Sequence, residues 1–139
     1  MIKYILQKKK HSSVYEDIKN DVYFEIKTVD YLNIVKAERI ITDNISSFFP
    51  GVQNIADEVN MSSTKLKTFF KAVYGTSMLQ YLIEKKMVLA MEMLLNSDEQ
   101  IKNIAMATGH ENGSKFSSNF KKQYGKLPSQ VRNNLMSMK

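Results

Sequence analysis

Residues 101–128, IKNIAMATGHENGSKFSSNFKKQYGKLP, constrain this chain more than any other stretch. Ile101, Ile104 and Ala105 recur at helical spacing. Just upstream, Ser97-x-x-Gln100 reads as a capping box for that helix. Gly109 breaks the pattern where a left-handed turn residue belongs. A second helix is predicted from about Gly113 to Tyr124. It carries Phe116, Phe120 and Tyr124 on one face and small polar or basic residues on the other. Gly125 can end it, and Pro128 can open the next helix. Two short helices around a tight turn, the second with a polar outer face, describe a helix-turn-helix. The second helix of such a unit is shaped to enter the DNA major groove.

The chain writes this unit twice. Lys65-Leu66 returns as Lys115-Phe116. Phe70-Lys71 and Tyr74-Gly75 return as Phe120-Lys121 and Tyr124-Gly125 at the same offset. Ile55-Ala56 returns as Ile104-Ala105 at an offset one residue shorter, so the copies differ by one residue at the turn. Two unrelated amphipathic helices do not explain the paired Lys, Phe, Tyr and Gly, so the pattern is read as duplication of one supersecondary unit.

With these residues in view, the chain resembles the DNA-binding domain of the AraC/XylS family of bacterial transcription regulators. The resemblance covers roughly Val35 to Arg132. It is carried by Ile55-Ala56, Ser62, Leu66, Phe70-Lys71, Gly75, Tyr81, Ala90, Leu94-Leu95, Ile101, Ile104-Ala105, Gly109, Phe116, Phe120-Lys121, Gly125, Pro128 and Arg132. It implies an all-α fold: two helix-turn-helix subdomains joined by a long linker helix, here with a short N-terminal extension. The expected division is 1–32 as an extension of unassigned role and 33–139 as the DNA-binding domain. Within it, the first helix-turn-helix occupies about 52–74, the linker helix about 77–95 and the second helix-turn-helix about 99–124. Two positions depart from the family pattern. His110 stands where an aromatic Phe or Tyr usually follows the turn glycine, and Lys86 stands where the linker helix usually has Arg.

Composition narrows the function classes. The chain has 139 residues, enough for a real core, and no run of apolar residues long enough to span a bilayer. Its first residues place charge after apolar side chains, the reverse of a secretory signal, and a cytoplasmic location is expected. With no cysteine there is no disulfide framework, thiolate metal site or methyl-accepting cysteine. The only histidines are His11 and His110, and no nucleophile or paired-carboxylate cluster accompanies them. No catalysis, metal or cofactor is expected. For His110 a half-buried ring at the turn is the favoured reading, with a phosphate contact as its alternative. The net charge of +6 is concentrated in the second half. From Asn112 onward, Lys115, Lys121, Lys122, Lys126, Arg132 and Lys139 face no acidic residue in the sequence. Such a balance fits a polyanionic partner.

Along the chain, Val22–Ile26 reads as a strand, MIKYIL as a strand or a helix start, and Lys8-Lys9-Lys10 as a solvated basic run. A helix is predicted from about Asn33 to Phe48, on the stripe Ile34, Ala37, Ile40, Ile41 and Ile45, ended by Pro50-Gly51. In the first helix-turn-helix Ser62 caps a helix whose inward residues are Leu66, Phe69, Phe70 and Val73. That leaves Ser63, Thr64, Lys67 and Thr68 outward, which by resemblance is the base-facing set. Lys65 and Lys71 are assigned to phosphates. In the second unit the matching base-facing positions are Gly113, Ser114, Ser117 and Ser118, with Lys115, Lys121 and Lys122 on phosphates. These base-facing residues are all short and discriminate poorly, so the first unit is expected to read more of the sequence.

The linker helix, about eighteen residues at about 1.5 Å each, spans roughly 27 Å. With packed ends it can set two recognition helices near one DNA turn, about 34 Å. Its methionines read as core filler. Lys86 keeps a charge there but loses the planar fork of arginine.

The expected partner is double-stranded DNA, and by analogy RNA polymerase, with no membrane and an unassigned effector. Thirty N-terminal residues are too few for the effector-binding barrel that many family members carry. A helical protein–protein interaction module is the alternative from another class, and RNA binding is a third. An adaptor would expose an apolar patch, whereas a DNA reader needs cations flanking both recognition helices.

Overall fold

In a computed structural model, residues 2–6 and 22–138 are described, with side chains from Ile26 onward. Strands β1 (Ile2–Leu6) and β2 (Val22–Ile26) pair antiparallel, Ile2 opposite Ile26 and Leu6 opposite Val22. The all-α class therefore holds from residue 28 onward, preceded by this one strand pair. Lys8-Lys9-Lys10 lies outside the described residues.

Seven helices follow among the described residues: α1 (Thr28–Asp43), α2 (Val52–Glu58), α3 (Ser63–Tyr74), α4 (Met78–Asn96), α5 (Ile101–Ala107), α6 (Gly113–Tyr124) and α7 (Pro128–Ser137). They fall into two compact units: residues 1–40 with 51–78, and residues 41–50 with 79–139.

Helix α1 starts and ends five residues earlier than the predicted 33–48. Asp30 sits in its first turn, where a carboxylate favours the exposed N–H groups, and Tyr31 N–H already bonds Lys27 O at 2.9 Å. It stops at Asp43 because Asn44 and Ile45 bond back only three residues, to Ile41 O and Thr42 O. Short polar residues here compete with the helix well before Pro50 is reached. In unit 1, Ile26, Ile34 and Ala37 are buried, as are Ile55, Ala56 and Val59 of the scaffold segment and Leu66 and Phe70 of α3.

The core of unit 2 is one cluster: Met87, Ala90 and Leu94 from α4, Ile104 and Ala105 from α5, and Phe116 and Phe120 from α6. The predicted aromatic stripe is a ladder, with Phe116 and Phe120 centroids 6.2 Å apart and Phe120 and Tyr124 4.9 Å apart. Helix α4 matches the predicted linker helix within a residue at each end, although Leu95 is exposed rather than packed. The Ser97–Gln100 capping box does not form. Helix α5 starts only at Ile101, and its N-cap is Gln100 without a side-chain cap. The Ser97 hydroxyl instead donates to Met93 O at 2.7 Å and accepts from Glu99 N–H at 3.3 Å, closing α4.

Lys86 is only 5% exposed, and its ammonium donates to Ser47 O at 2.6 Å. Burial pulls its pKa below the ordinary 10.5. Beside it Gly109 has φ +70, and a Cβ there would lie 2.6 Å from Lys86 Nζ and 2.8 Å from Ser47 O. Gly125, at φ +76, has open space around it. Gly109→Ala therefore combines backbone strain with overpacking and should destabilise by about 2–4 kcal/mol. Gly125→Ala carries only the backbone strain, about 1–2 kcal/mol. Urea unfolding of the two variants measures the difference.

Candidate nucleic-acid interface

The two helix pairs repeat in geometry as well as in sequence. Scaffold helices α2 and α5 are each 7 residues, and recognition helices α3 and α6 are each 12. Both turns pass through one positive-φ residue, Asn60 at 54° and Gly109 at 70°. Both then close with the same bond, Met61 N–H to Ala56 O and His110 N–H to Ala105 O, each 3.0 Å. The extra residue of the second copy is Glu111, between this bond and the next cap.

The caps match in position but not in residue. Ser62 Oγ accepts from Lys65 N–H at 3.2 Å. Asn112 Oδ1 accepts from Ser114 N–H at 2.7 Å and Lys115 N–H at 3.2 Å. The Asn112 cap went unnoticed in the sequence, although Asn immediately before a helical stripe is a readable N-cap signal. Each recognition helix ends on a left-handed glycine, Gly75 or Gly125.

On α3, Thr64, Lys67, Thr68 and Lys71 form an i, i+3, i+4, i+7 stripe opposite buried Leu66 and Phe70. Thr64, Lys67 and Lys71 are exposed. Thr68 is partly covered, and its hydroxyl donates to Thr64 O at 2.9 Å. Ser63 is partly covered and donates to Gln53 Oε1 at 2.7 Å. Gln53 was not among the sequence candidates, because its role depends on a contact across the turn.

Lys65 departs from the phosphate assignment. It lies off the stripe, with Nζ 2.9 Å from Asp30 Oδ2 and 5.6 Å from the Phe69 ring centroid. Its side chain is 43% exposed, so the pair is partly screened and contributes about 1 kcal/mol or less.

On α6 the same stripe is Ser114, Ser117, Ser118 and Lys121. Ser114, Ser118 and Lys121 are exposed and Ser117 is partly covered. Gly113, Lys115 and Lys122 are exposed as well. The stripe residues thus come together on one helix face in each unit; Ser63 and Gly113 flank it, and Lys115, the copy of Lys65, lies off it as Lys65 does, with Lys122 beside it.

His110 is half-buried, edge-on to Phe116 with centroids 5.4 Å apart. Its Nδ1 lies 3.1 Å from Thr108 Oγ1 and its Nε2 3.3 Å from Asn119 Nδ2. Thr108 Oγ1 already directs its proton toward the Ile104 and Ala105 carbonyls. It can therefore only accept from His110, so Nδ1 carries the proton and Nε2 accepts from Asn119. Burial first, then the Lys86 charge, holds the ring's pKa below 6.5. The phosphate alternative would need a free imidazole N–H, and this pattern leaves none. Among the described residues, no group of His, Cys, Asp or Glu is arranged to hold a metal ion, and no helix is long and apolar enough to cross a membrane.

Two capped recognition helices, each exposing a polar stripe and cations, define a double helix-turn-helix DNA-binding module. A helix-turn-helix domain model matches residues 55–134, more than half of the chain. The chain belongs to the AraC/XylS family of transcription regulators. It is 33% identical over 81 residues to the HTH-type transcriptional regulator ExsA of Pseudomonas aeruginosa, covering 58% of this chain and 29% of ExsA. It is equally similar to the virulence regulon transcriptional activator VirF of Yersinia enterocolitica, covering 58% of this chain and 30% of VirF. The chain thus spans less than a third of the length of these relatives. Its fold is similar to that of the DNA-binding domain of AdpA solved with a target DNA. The TM-score is 0.70 at 20% identity, over 77% of this chain and 96% of that one.

Because the folded pKa of His110 lies below 6.5, the unfolded chain takes up that proton first as pH falls. This group's contribution is constant above about pH 6.5, and stability declines as pH drops through the window below it. His110→Gln should flatten that decline below about pH 6.5, measured by thermal unfolding as a function of pH.

Proposed function

We propose that this chain supplies the sequence-specific DNA-binding part of a transcription regulator, with α3 and α6 entering two successive major-groove segments. That part begins at α1, which runs Thr28–Asp43 across the expected boundary at 32/33, and the role of the residues before it stays unassigned. The observation that carries the reading is the repeated stripe: Thr64, Lys67, Thr68 and Lys71 on one helix, Ser114, Ser117, Ser118 and Lys121 on its copy. Ser63, Thr64, Lys67 and Thr68 face bases in the first segment, and Gly113, Ser114, Ser117 and Ser118 in the second. Lys67 donates to guanine O6 and N7, and threonine methyls and hydroxyls suit thymine or a polar edge.

Lys71, Lys115, Lys121 and Lys122 hold phosphates. Lys65 joins them only by leaving Asp30. The protein acts in the cytoplasm, and activation through RNA polymerase fits the name of VirF, a transcriptional activator.

Selection from random duplex DNA, repeated at several salt concentrations, tests this. The expected product is a bipartite motif with its parts about one helical turn apart. With four to five lysine–phosphate contacts, log affinity should fall against log salt with a slope of about −4. Lys67→Ala should cost about 1–3 kcal/mol at one base position. Joint alanine replacement of Ser114, Ser117 and Ser118 should leave discrimination nearly intact. Lys121→Ala should weaken all sequences alike and reduce the slope by about 1. No binding at low salt would move the chain to the interaction-module class.

A further inference from the structure

The two recognition helices begin differently. In unit 1, Ser63 Oγ donates to Gln53 Oε1 at 2.7 Å, and Gln53 Nε2 donates to Asp57 Oδ1 at 2.8 Å. Three side chains thus bridge the scaffold helix to the first residue of the recognition helix. In unit 2 the equivalent positions are Lys102, Met106 and Gly113. No such bridge is possible there, since Gly113 has no side chain. In its place lies an open groove of about 430 Å³, lined among others by Lys102, Met106 and Gly113.

The direction of the bridge matters. A serine hydroxyl has one proton to donate and two lone pairs to accept with. Asp57 accepts from the Gln53 amide nitrogen, which turns the Gln53 amide oxygen toward Ser63. The Ser63 proton is thereby committed inward, and only its lone pairs face out.

We infer that Gln53, held by Asp57, is a positioning residue for specificity. It makes Ser63 an acceptor-only contact that selects an amino base, adenine or cytosine, on the strand it reads. The chemistry follows from the groove edges. Adenine N6 and cytosine N4 donate in the major groove, whereas guanine and thymine present only acceptors and a methyl group there. A free serine accommodates either kind of edge and discriminates poorly. A serine with its proton committed rejects the keto bases, because two acceptors would face each other.

This inference rests on the proposed base-facing role of Ser63, and its test separates the two. The intact chain, Gln53→Ala, Ser63→Ala, the double variant, and Q53E with D57N are each put through selection on random duplex DNA. Thermal unfolding confirms that each is folded. Wild type should prefer A or C at one position of the first half-site by roughly threefold to tenfold, the effect of one net hydrogen bond. Gln53→Ala should lose that preference at that position alone and keep all others. The double variant should match Ser63→Ala, since the two residues act through one hydroxyl. Q53E with D57N retains an oxygen acceptor for Ser63 and a donor toward it, and should restore the preference.

A wild-type motif unchanged at every position in Gln53→Ala overturns the inference while leaving the DNA-reading function standing. So does a uniform loss of affinity with all preferences intact, which marks the bridge as mere support for the helix. A wild-type chain that enriches no motif overturns the base-reading role and this inference with it.

Discussion

A buried ammonium ties unit 2 together. Lys86 lies almost wholly out of water, and its one hydrogen bond among the described contacts is to the Ser47 carbonyl. Removing a charge from water costs several kcal/mol unless the site is well built around it. Here the site is built from three segments: α4 supplies the lysine, the 44–50 loop the carbonyl, and the second helix-turn-helix a glycine with no Cβ to obstruct it. The same charge reaches His110 and helps keep its ring neutral. One side chain thus touches both the loop and the turn, and adds its charge to the burial that lowers the adjoining ring's pKa. An arginine would bring more donors in a planar fork, whereas lysine offers a point charge on a flexible stem.

The duplicated unit shows how far two copies can diverge without losing shape. Turn bond, left-handed turn residue, N-cap and glycine C-cap recur at matching positions, because each satisfies a backbone requirement that any helix-turn-helix has. What differs is what those requirements leave free. Serine gives way to asparagine at the cap, both being good acceptors for orphan N–H groups. The outward residues shift from Thr64, Lys67 and Thr68 to Ser114, Ser117 and Ser118, so the two exposed faces differ in reach and charge.

Most of this architecture was legible in the sequence. Periodicity located α3, α4 and α6 to within a residue or so, because aromatic and aliphatic stripes bounded by Gly and Pro leave few alternatives. It misplaced α1, where Ile45 extended the stripe past a polar Thr-Asp-Asn segment that ends the helix. It also assigned Ser97 to the wrong helix, since a capping-box pattern does not reveal which way the hydroxyl turns. The outward stripe could be read from spacing, but the Lys65–Asp30 pair and the Gln53–Ser63 bond join residues on different elements. Nothing local distinguishes a lysine that is exposed from one already held by a carboxylate.

The turn residues have a consequence for how the two copies can change. Asn60 carries a side chain in the same left-handed conformation that Gly109 adopts, and it is exposed. The first turn is therefore open to any residue that tolerates the backbone angle. The second is closed to every side chain by Lys86 and the Ser46–Ser47 backbone, which lie outside the helix-turn-helix itself. Inherited from one ancestor, the two turns now have unequal mutational latitude. Variation among related chains should accumulate at the first turn while the second stays glycine wherever a cation is buried behind it.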